Sequence, residues 1–212
     1  MKTYTIKTYL FDELSEEAKR NAYERDRHNI DGEYYNSDFR ATLEEFEKAF
    51  NIIVKNYSVE SYRYTFDFRE SEPTNADEIT DPLRLATFIW NNYADRIQKG
   101  QFYSTVGRYE NGRYTFKNRR SKITKTWDEC PLTGCCFDMD ILAPVIDCLT
   151  YKTQYETFDD LITDCLNRFF ETWRSCLEYS ESFDFYEGEA EANEWEYYED
   201  GTKFVHQRLV RP

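Results

Sequence analysis

Six cysteines and two histidines are the side chains of this sequence best suited to metal binding or nucleophilic chemistry. Cys130, Cys135 and Cys136 form a C-x₄-C-C group, and no second cysteine pair follows at the spacing of a structural zinc site. His28 and His206 lie far away in the sequence. Zinc at this group is the alternative, but the spacing favours free thiols. We therefore expect no bound metal and no cofactor.

Short motifs that carry common catalytic chemistry do not occur in the sequence. Its seven glycines form neither a phosphate-binding nor a dinucleotide-binding loop, and there is no H-E-x-x-H or G-x-S-x-G motif. Neighbouring carboxylates such as Asp159 and Asp160 are expected by chance among 41 acidic residues. A nucleophile at Cys135 or Cys136 with a distant histidine as base has no local support. We predict that the protein is not an enzyme, with a hydrolase or nuclease as the alternative.

Acidic residues are concentrated in the segment 177–200. It contains ten carboxylates, no Lys or Arg, and seven aromatic residues, and this aromatic content predicts a folded segment rather than a tail. A folded row of carboxylates can imitate a nucleic-acid backbone, which carries about one charge per 1.7 Å of duplex. A solvated helix face is the alternative. The predicted partner-binding residues are Glu178, Glu181, Asp184, Glu187, Glu189, Glu191, Glu194 and Glu196.

Basic residues are concentrated in the segment 96–125. Nine bases and one acid, Glu110, occur there with five interleaved aromatic residues, and Asn111-Gly112 predicts a hairpin at about 101–120. Such a hairpin suits phosphate contacts and base stacking in RNA or DNA. Pairing with the acidic segment of the same molecule, or of a second copy, is the alternative. The candidate nucleic-acid-binding residues are Arg108, Arg113, Lys117, Arg119, Arg120 and Lys122.

The composition is that of a folded and strongly acidic protein of 212 residues with a net charge of −14. This charge favours solubility and repels free nucleic acid, while an aromatic content of 18% excludes a disordered acidic chain. No long apolar run predicts a membrane span, and the N-terminal residues lack the apolar core of a signal peptide. We therefore expect a cytoplasmic protein with reduced thiols and no membrane partner.

Helices are predicted where apolar residues recur at helical spacing behind a capping residue. One begins after Ser15, a second covers about 37–50, and a third begins at Asp81-Pro82. Two more cover about 139–149 and 158–179. The apolar stripes are Leu14, Ala18 and Ala22; Phe39, Leu43, Phe46 and Phe50; Leu85, Ile89, Tyr93 and Ile97; and Ile162, Cys165, Phe169, Trp173 and Cys176.

Strands are predicted at residues 3–10 and from Tyr62 to Phe68, where aromatic and polar residues alternate. A last hairpin is predicted at 198–203. Because strands and helices are mixed without a regular βαβ order, we predict one α+β domain over residues 1–212, a mostly antiparallel sheet packed with several helices. Its core should include Phe46, Phe66, Ile89, Phe169 and Trp173.

Three stretches carry a resemblance to a known family. They are residues 9–19, Leu132-Thr133-Gly134-Cys135-Cys136 with Asp138, and residues 193–201. In this order and spacing the chain resembles a little-characterised family of proteins carried by phages and prophages of Gram-positive bacteria, some of them labelled antitoxin-like. The likeness covers both ends and the middle of the chain but not the basic hairpin. It assigns no functional residue.

The resemblance implies a role in the interaction between a phage and the defence systems of its host. Small acidic phage proteins often block a host defence by occupying the nucleic-acid channel of a nuclease, as anti-CRISPR and anti-restriction proteins do. We therefore expect an inhibitor of a host defence complex in the cytoplasm of the infected bacterium, with the segment 177–200 facing a basic groove such as that of a CRISPR effector. An antitoxin against a basic toxin, a guide RNA or DNA binder, and a protein that sequesters a signalling nucleotide are the alternatives.

Overall fold

Helices and separate strand pairs alternate along the chain in the computed structural model, which describes residues 6–27, 33–71, 75–110, 113–127, 130–152 and 154–205. The helices are α1 (Glu16–Asp26), α2 (Glu33–Phe50), α3 (Pro82–Asn92), α4 (Ala94–Ile97), α5 (Phe137–Tyr151), α6 (Phe158–Ser180) and α7 (Phe183–Ala192). The strands are β1 (Tyr9–Leu10), β2 (Ile52–Glu60), β3 (Arg63–Glu70), β4 (Gln98–Glu110), β5 (Arg113–Trp127) and β6 (Glu196–Tyr197).

The protein is an α+β protein, as predicted, but no sheet dominates it. Within the described residues β1 pairs with β6, β2 with β3, and β4 with β5, so that each sheet has two strands. The chain contacts divide into two compact units. Unit 1 comprises Met1–Asn36, Val59–Arg63 and Trp173–Pro212, and unit 2 comprises Ser37–Ser58 and Tyr64–Thr172. The single-domain expectation stays a prediction.

Unit 1 is built around α1, whose predicted cap and apolar face are confirmed. The hydroxyl of Ser15 accepts a hydrogen bond from the backbone N–H of Ala18 at 3.2 Å. The side chains that form its core come from both ends of the chain: Phe11, Leu14, Ala18, Ala22, Tyr186, Ala190 and Tyr197.

Strand β1 is shorter than predicted. Of the described residues in the predicted strand 3–10, only Tyr9 and Leu10 pair, opposite Tyr197 and Glu196. Residues 3–5 lie outside the described residues. The length of this strand follows from its partner, because β6 offers only two residues for pairing.

Unit 2 is built around α5 and the predicted apolar stripes of α2, α3 and α6. Phe46, Ile89 and Phe169 are fully buried, and Phe66 is partly buried with its ring 5.1 Å from that of Phe170. Two cysteines of these helices, Cys148 and Cys165, are buried as well. Trp173, which belongs to unit 1, is also buried. Four of the five predicted core residues are therefore fully packed.

Side-chain caps fix the first residues of two helices in unit 2, α3 and α6. The Asp81 carboxylate accepts a hydrogen bond from the N–H of Arg84 at 2.9 Å, and Pro82 occupies the first helical position, as predicted. The hydroxyl of Thr157 accepts from the N–H of Asp160 at 3.1 Å and begins α6. The predicted helix beyond Asp81 is interrupted at Tyr93, where α3 ends and the single-turn α4 begins.

The strand pair β2–β3 contains one confirmed and one corrected prediction. Side chains of β3 alternate between exposed and half-buried positions, as the alternation of aromatic and polar residues predicted. Tyr62, however, is 71% exposed and lies in the turn before β3, so it does not share the covered face. Strand β2 was not predicted, because residues 55–58 are polar and exposed and break the alternation.

The predicted hairpin is confirmed in its backbone and is longer than expected. Strands β4 and β5 have 13 and 15 residues and pair in antiparallel register from Gln98↔Trp127 to Glu110↔Arg113. The predicted turn residues Asn111 and Gly112 lie outside the described residues. No helix in the part of the chain that the structure describes is long and apolar enough to cross a membrane.

Candidate partner-binding surface

Helix α7 organises the acidic segment. It begins at Ser182, whose hydroxyl accepts a hydrogen bond from the N–H of Phe185 at 3.2 Å. One face is buried through Tyr186 and Ala190. The opposite face presents Asp184, Gly188 and Glu191, which are all exposed and lie at i, i+4 and i+7. The helix therefore has a buried aromatic side and an acidic outer side.

Aromatic packing holds the acidic segment in place. The ring of Tyr186 lies 5.6 Å from that of Phe11, 5.8 Å from that of Tyr23 and 5.8 Å from that of Trp195. Its hydroxyl lies 3.1 Å from the hydroxyl of Tyr197, and both side chains are fully buried. Burial is the larger cause and the hydrogen bond to Tyr197 the smaller one that together raise the pKa of Tyr186 far above its usual range. The tyrosine is thus a neutral anchor, and the prediction that the segment is folded is confirmed.

Two of the eight predicted acidic site residues form ion pairs inside unit 1. Glu178 lies 2.8 Å from the guanidinium of Arg174, and Glu187 lies 3.7 Å from the ammonium of Lys19. The other six form no ion pair with any described basic residue: Glu181, Asp184, Glu189, Glu191, Glu194 and Glu196. Most of the predicted acidic surface is therefore uncompensated within the described chain.

The carboxyl end of α7 carries negative charge where a helix favours positive charge. The last turn contains no basic residue, although the helix dipole places partial negative charge there. The side-chain amide of Asn193 donates to the backbone carbonyl of Glu189 at 2.8 Å and to its carboxylate at 3.1 Å. Glu194 then adopts a φ of +49°, a conformation that glycine adopts more easily. The Glu189 carboxylate thus helps to hold Asn193 at the helix end, whereas no basic residue of the last turn offsets the negative charge of Glu191.

Two basic side chains near this end are engaged elsewhere. The ammonium of Lys203 lies 2.9 Å from the centre of the Trp195 ring, a cation–π contact, and burial lowers its pKa. Arg25 lies 3.6 Å from the carboxylate of Asp200 and also donates to the hydroxyl of Thr202. Neither neutralises the carboxylates of α7.

The six candidate nucleic-acid-binding residues all lie on the hairpin. The backbone register pairs Arg108 with Thr115, Glu110 with Arg113, and Val106 with Lys117. Register shifts interrupt the ladder on both sides of the pair formed by Tyr103 and Ser121.

The other three candidate bases lie at these shifts. Arg119 and Arg120 stand opposite the single residue Ser104, and Lys122 lies in the second shift, opposite Phe102. An extra residue in one strand is a β-bulge, a feature common near functional sites. Arg96, at the start of the basic segment, donates instead to the carbonyls of Lys48 and Ala49 at the end of α2.

The cysteines are distributed between the core and the surface. Cys136 is exposed and Cys130 and Cys135 are partly exposed, and the described residues contain no cluster of three metal-binding side chains. Burial raises the pKa of the Cys148 thiol to about 11, and that of Cys165 also rises. These two thiols are packing groups, as the stripe of α6 predicted for Cys165.

The loop before α5 is organised by Asp138. This buried carboxylate accepts hydrogen bonds from the backbone N–H groups of Leu132, Thr133 and Gly134 at 2.9, 2.8 and 3.1 Å. It also accepts from the hydroxyls of Thr133 and Thr42 at 2.7 and 3.3 Å. Because hydrogen bonds satisfy the charge on every side, Asp138 has a structural role.

The sequence interpretation did not identify a surface on α3. Leu83 and Trp90 are 58% and 50% exposed, opposite the buried stripe of Leu85 and Ile89. The signal was present in the sequence, because Leu83 and Trp90 are large apolar residues outside the stripe that the spacing predicts to be buried.

Comparison with known proteins identifies no matching family model, no matching curated protein and no matching solved structure.

Proposed function

We propose that this protein is a phage-encoded inhibitor of a host defence complex, similar in action to anti-CRISPR proteins, and that its acidic surface occupies a nucleic-acid site of the target. The observation that carries the proposal is the set of six carboxylates around α7 that form no ion pair with any described basic residue, on a segment held by a buried aromatic core. The phage origin rests on the resemblance described above.

Uncompensated carboxylates on a rigid element favour a cationic partner. They repel one another in the free protein, and a basic groove brought close to them relieves that repulsion. Complementary charge mainly accelerates encounter and selects the partner, and its effect falls as salt rises. A nucleic-acid-binding groove has the required charge. We therefore expect the inhibitor to compete directly with the nucleic acid of its target.

The unfavourable charges at the end of α7 support the same proposal. Glu189, Glu191 and Glu194 lie where Lys, Arg or Gly would stabilise the helix. Residues that lower the stability of their own element are typical of functional sites. A face that only had to be hydrated could carry Lys or Arg at these positions, because basic side chains are hydrated as well.

The test is a competition assay after the target has been captured from a host lysate with tagged wild-type protein. The informative variant replaces Glu189, Glu191 and Glu194 by Lys. Glu187 is left unchanged because it pairs with Lys19, and its reversal would place two cations side by side. We expect wild type to displace nucleic acid from the target and the variant to associate at least about tenfold more slowly.

A second variant controls for net charge. Replacing Asp38, Glu44 and Glu78 by Lys makes the same change in charge at exposed positions of unit 2. It should inhibit almost as well as wild type. Equal loss in both variants would point to net charge alone, and full inhibition by the α7 variant would leave the acidic surface as a solvated face.

The same experiment separates the alternatives. A target that holds no nucleic acid but is neutralised through the same carboxylates would identify an antitoxin. Tight binding of RNA or DNA by the isolated protein, with a steep salt dependence, would favour the hairpin as a nucleic-acid-binding element. We expect only weak binding there, because the net charge of −14 opposes it.

A further inference from the structure

The outer face of α3 exposes two large apolar side chains, Leu83 and Trp90, with a threonine between them. Leu83, Thr87 and Trp90 lie at i, i+4 and i+7 and are all exposed. Single exposed apolar residues are common on protein surfaces, but an aligned group often marks a contact site. This row spans two helical turns, or roughly 10 Å. Its length matches that of a short segment of a binding partner.

A groove runs beside this row, between α3 and α5. Its volume is about 270 Å³, and it is lined by Ala86, Thr87, Trp90, Leu149 and Lys152. Ala86 and Leu149 are buried, whereas the indole of Trp90 is half exposed. The groove has room for a large apolar side chain. A second, more open groove on the other side of α3 is lined in part by Leu83, Arg84 and Phe88.

Basic residues border both grooves. Of the described residues that line the grooves, Lys152 is the one charged residue at the first and Arg84 the one at the second. Neither forms an ion pair with any residue that the structure describes. Lys152 ends α5 with a φ of +59°, and its N–H donates to the carbonyl of Cys148 at 2.9 Å. The charged side chains among the described lining residues of the two grooves are therefore both basic.

We propose that the α3 face docks an acidic amphipathic helix of a partner protein. A large apolar residue of that helix would enter the groove beside Trp90, and its flanking carboxylates would meet Lys152 and Arg84. A helix fits because the exposed row itself has helical spacing over two turns, as in helix-in-groove recognition. Nucleic acid fits less well, because buried apolar residues line the groove and the chain as a whole repels phosphate.

The experiment uses the full-length protein and two fluorescein-labelled peptides of about 15 residues, long enough to form a helix. Both carry Leu along one face, with Glu on the flanks in one peptide and Lys in the other. We expect saturable binding of the Glu peptide, at least about tenfold tighter than that of the Lys peptide. Amide chemical-shift changes should cluster at Ala86, Thr87 and Leu149.

Variants locate the contact. Trp90→Ala should weaken binding of the Glu peptide by at least about tenfold, as expected for a central aromatic anchor. The double variant Arg84→Glu, Lys152→Glu should reverse the preference between the peptides. Tyr62→Ala and Lys55→Glu change an exposed aromatic residue and an exposed base elsewhere and should leave binding unchanged. Thermal unfolding of every variant checks that the fold is intact.

Three outcomes would overturn the proposal. They are equal affinity for both peptides, no saturable binding of the Glu peptide, and unchanged binding by the folded Trp90→Ala variant. A single-stranded oligonucleotide that binds and shifts the same amides more strongly than the Glu peptide would also overturn it, in favour of a nucleic-acid site. The test does not involve the carboxylates of α7, so it is independent of the inhibitor proposal.

Discussion

Helices α3 and α7 are two short surface helices with the same plan and opposite outer faces. They have 11 and 10 residues, and each begins at a residue whose side chain accepts a backbone hydrogen bond, Asp81 and Ser182. Each buries one apolar stripe. The outer positions at i, i+4 and i+7 differ completely: they are Leu83, Thr87 and Trp90 in α3, and Asp184, Gly188 and Glu191 in α7.

This difference separates the residues that the fold requires from the residues whose chemistry is free to vary. The inner stripes and caps are needed to form and place a helix of this length, because a short isolated helix is marginal in water. The outer residues contribute little to folding, so their chemistry can be chosen for a contact. Because one outer face carries Leu83 and Trp90 and the other carries Asp184 and Glu191, we propose a different kind of partner for each helix.

The largest expected change in the free energy of unfolding comes from comparing a buried and an exposed position of α3 that are adjacent in sequence. Ile89 is fully buried, and Ile89→Ala should lower the free energy of unfolding by roughly 2–5 kcal/mol. Trp90→Ala, at a half-exposed position, should change it by less than about 1 kcal/mol. Urea denaturation of both variants measures this. A similar loss for both would mean that the outer face also belongs to the core.

Two glycines give the next contrast. Gly201 has a φ of +82°, and a Cβ there would lie 2.1 Å from the backbone oxygen of Ala18. Gly201→Ala should therefore lower the free energy of unfolding by roughly 2–4 kcal/mol, among the larger effects of single substitutions. Gly188, on the outer face of α7, has open space around it, and Gly188→Ala should raise the free energy of unfolding by about 0.5–1 kcal/mol. The two changes in free energy need not be equal in size. A lower free energy of unfolding for Gly188→Ala would show that the outer face of α7 is packed.

The smallest expected effect concerns charge at the end of α7. Glu191→Lys should raise the free energy of unfolding by about 0.3–1 kcal/mol, because a cation there interacts favourably with the helix dipole. Glu17→Lys, in the first turn of α1, should lower it by a similar amount for the same reason. Thermal unfolding at low salt measures both. A destabilised Glu191→Lys would remove the argument that this charge is retained for binding.

Much of this fold could be predicted because its signals are local. Ser15 and Asp81 mark helix starts, and the stripes of α2 and α6 identify their buried faces. The alternation in β3 and the pairing of β4 with β5 are local as well.

The features that could not be predicted depend on distant residues or on few apolar positions. The length of β1 is set by β6 at the other end of the chain. Helix α7 has only two buried residues, Tyr186 and Ala190, within a strongly acidic stretch, so its apolar periodicity is weak. The acidic site residues were predicted as a set, but the ion pairs of Glu178 and Glu187 required the structure.

The loop before α5, whose backbone donates to Asp138, should exchange its amide hydrogens with solvent in a distinctive way. The N–H groups of Leu132, Thr133 and Gly134 all donate to this one carboxylate, although Leu132 is partly exposed and Thr133 and Gly134 are exposed. Their amide hydrogens should therefore exchange with deuterium slowly and together, since all three lose protection when the carboxylate leaves. In Asp138→Ala the same three amides should exchange at rates typical of an unstructured loop. The loop would then behave as one cooperative unit governed by a single side chain.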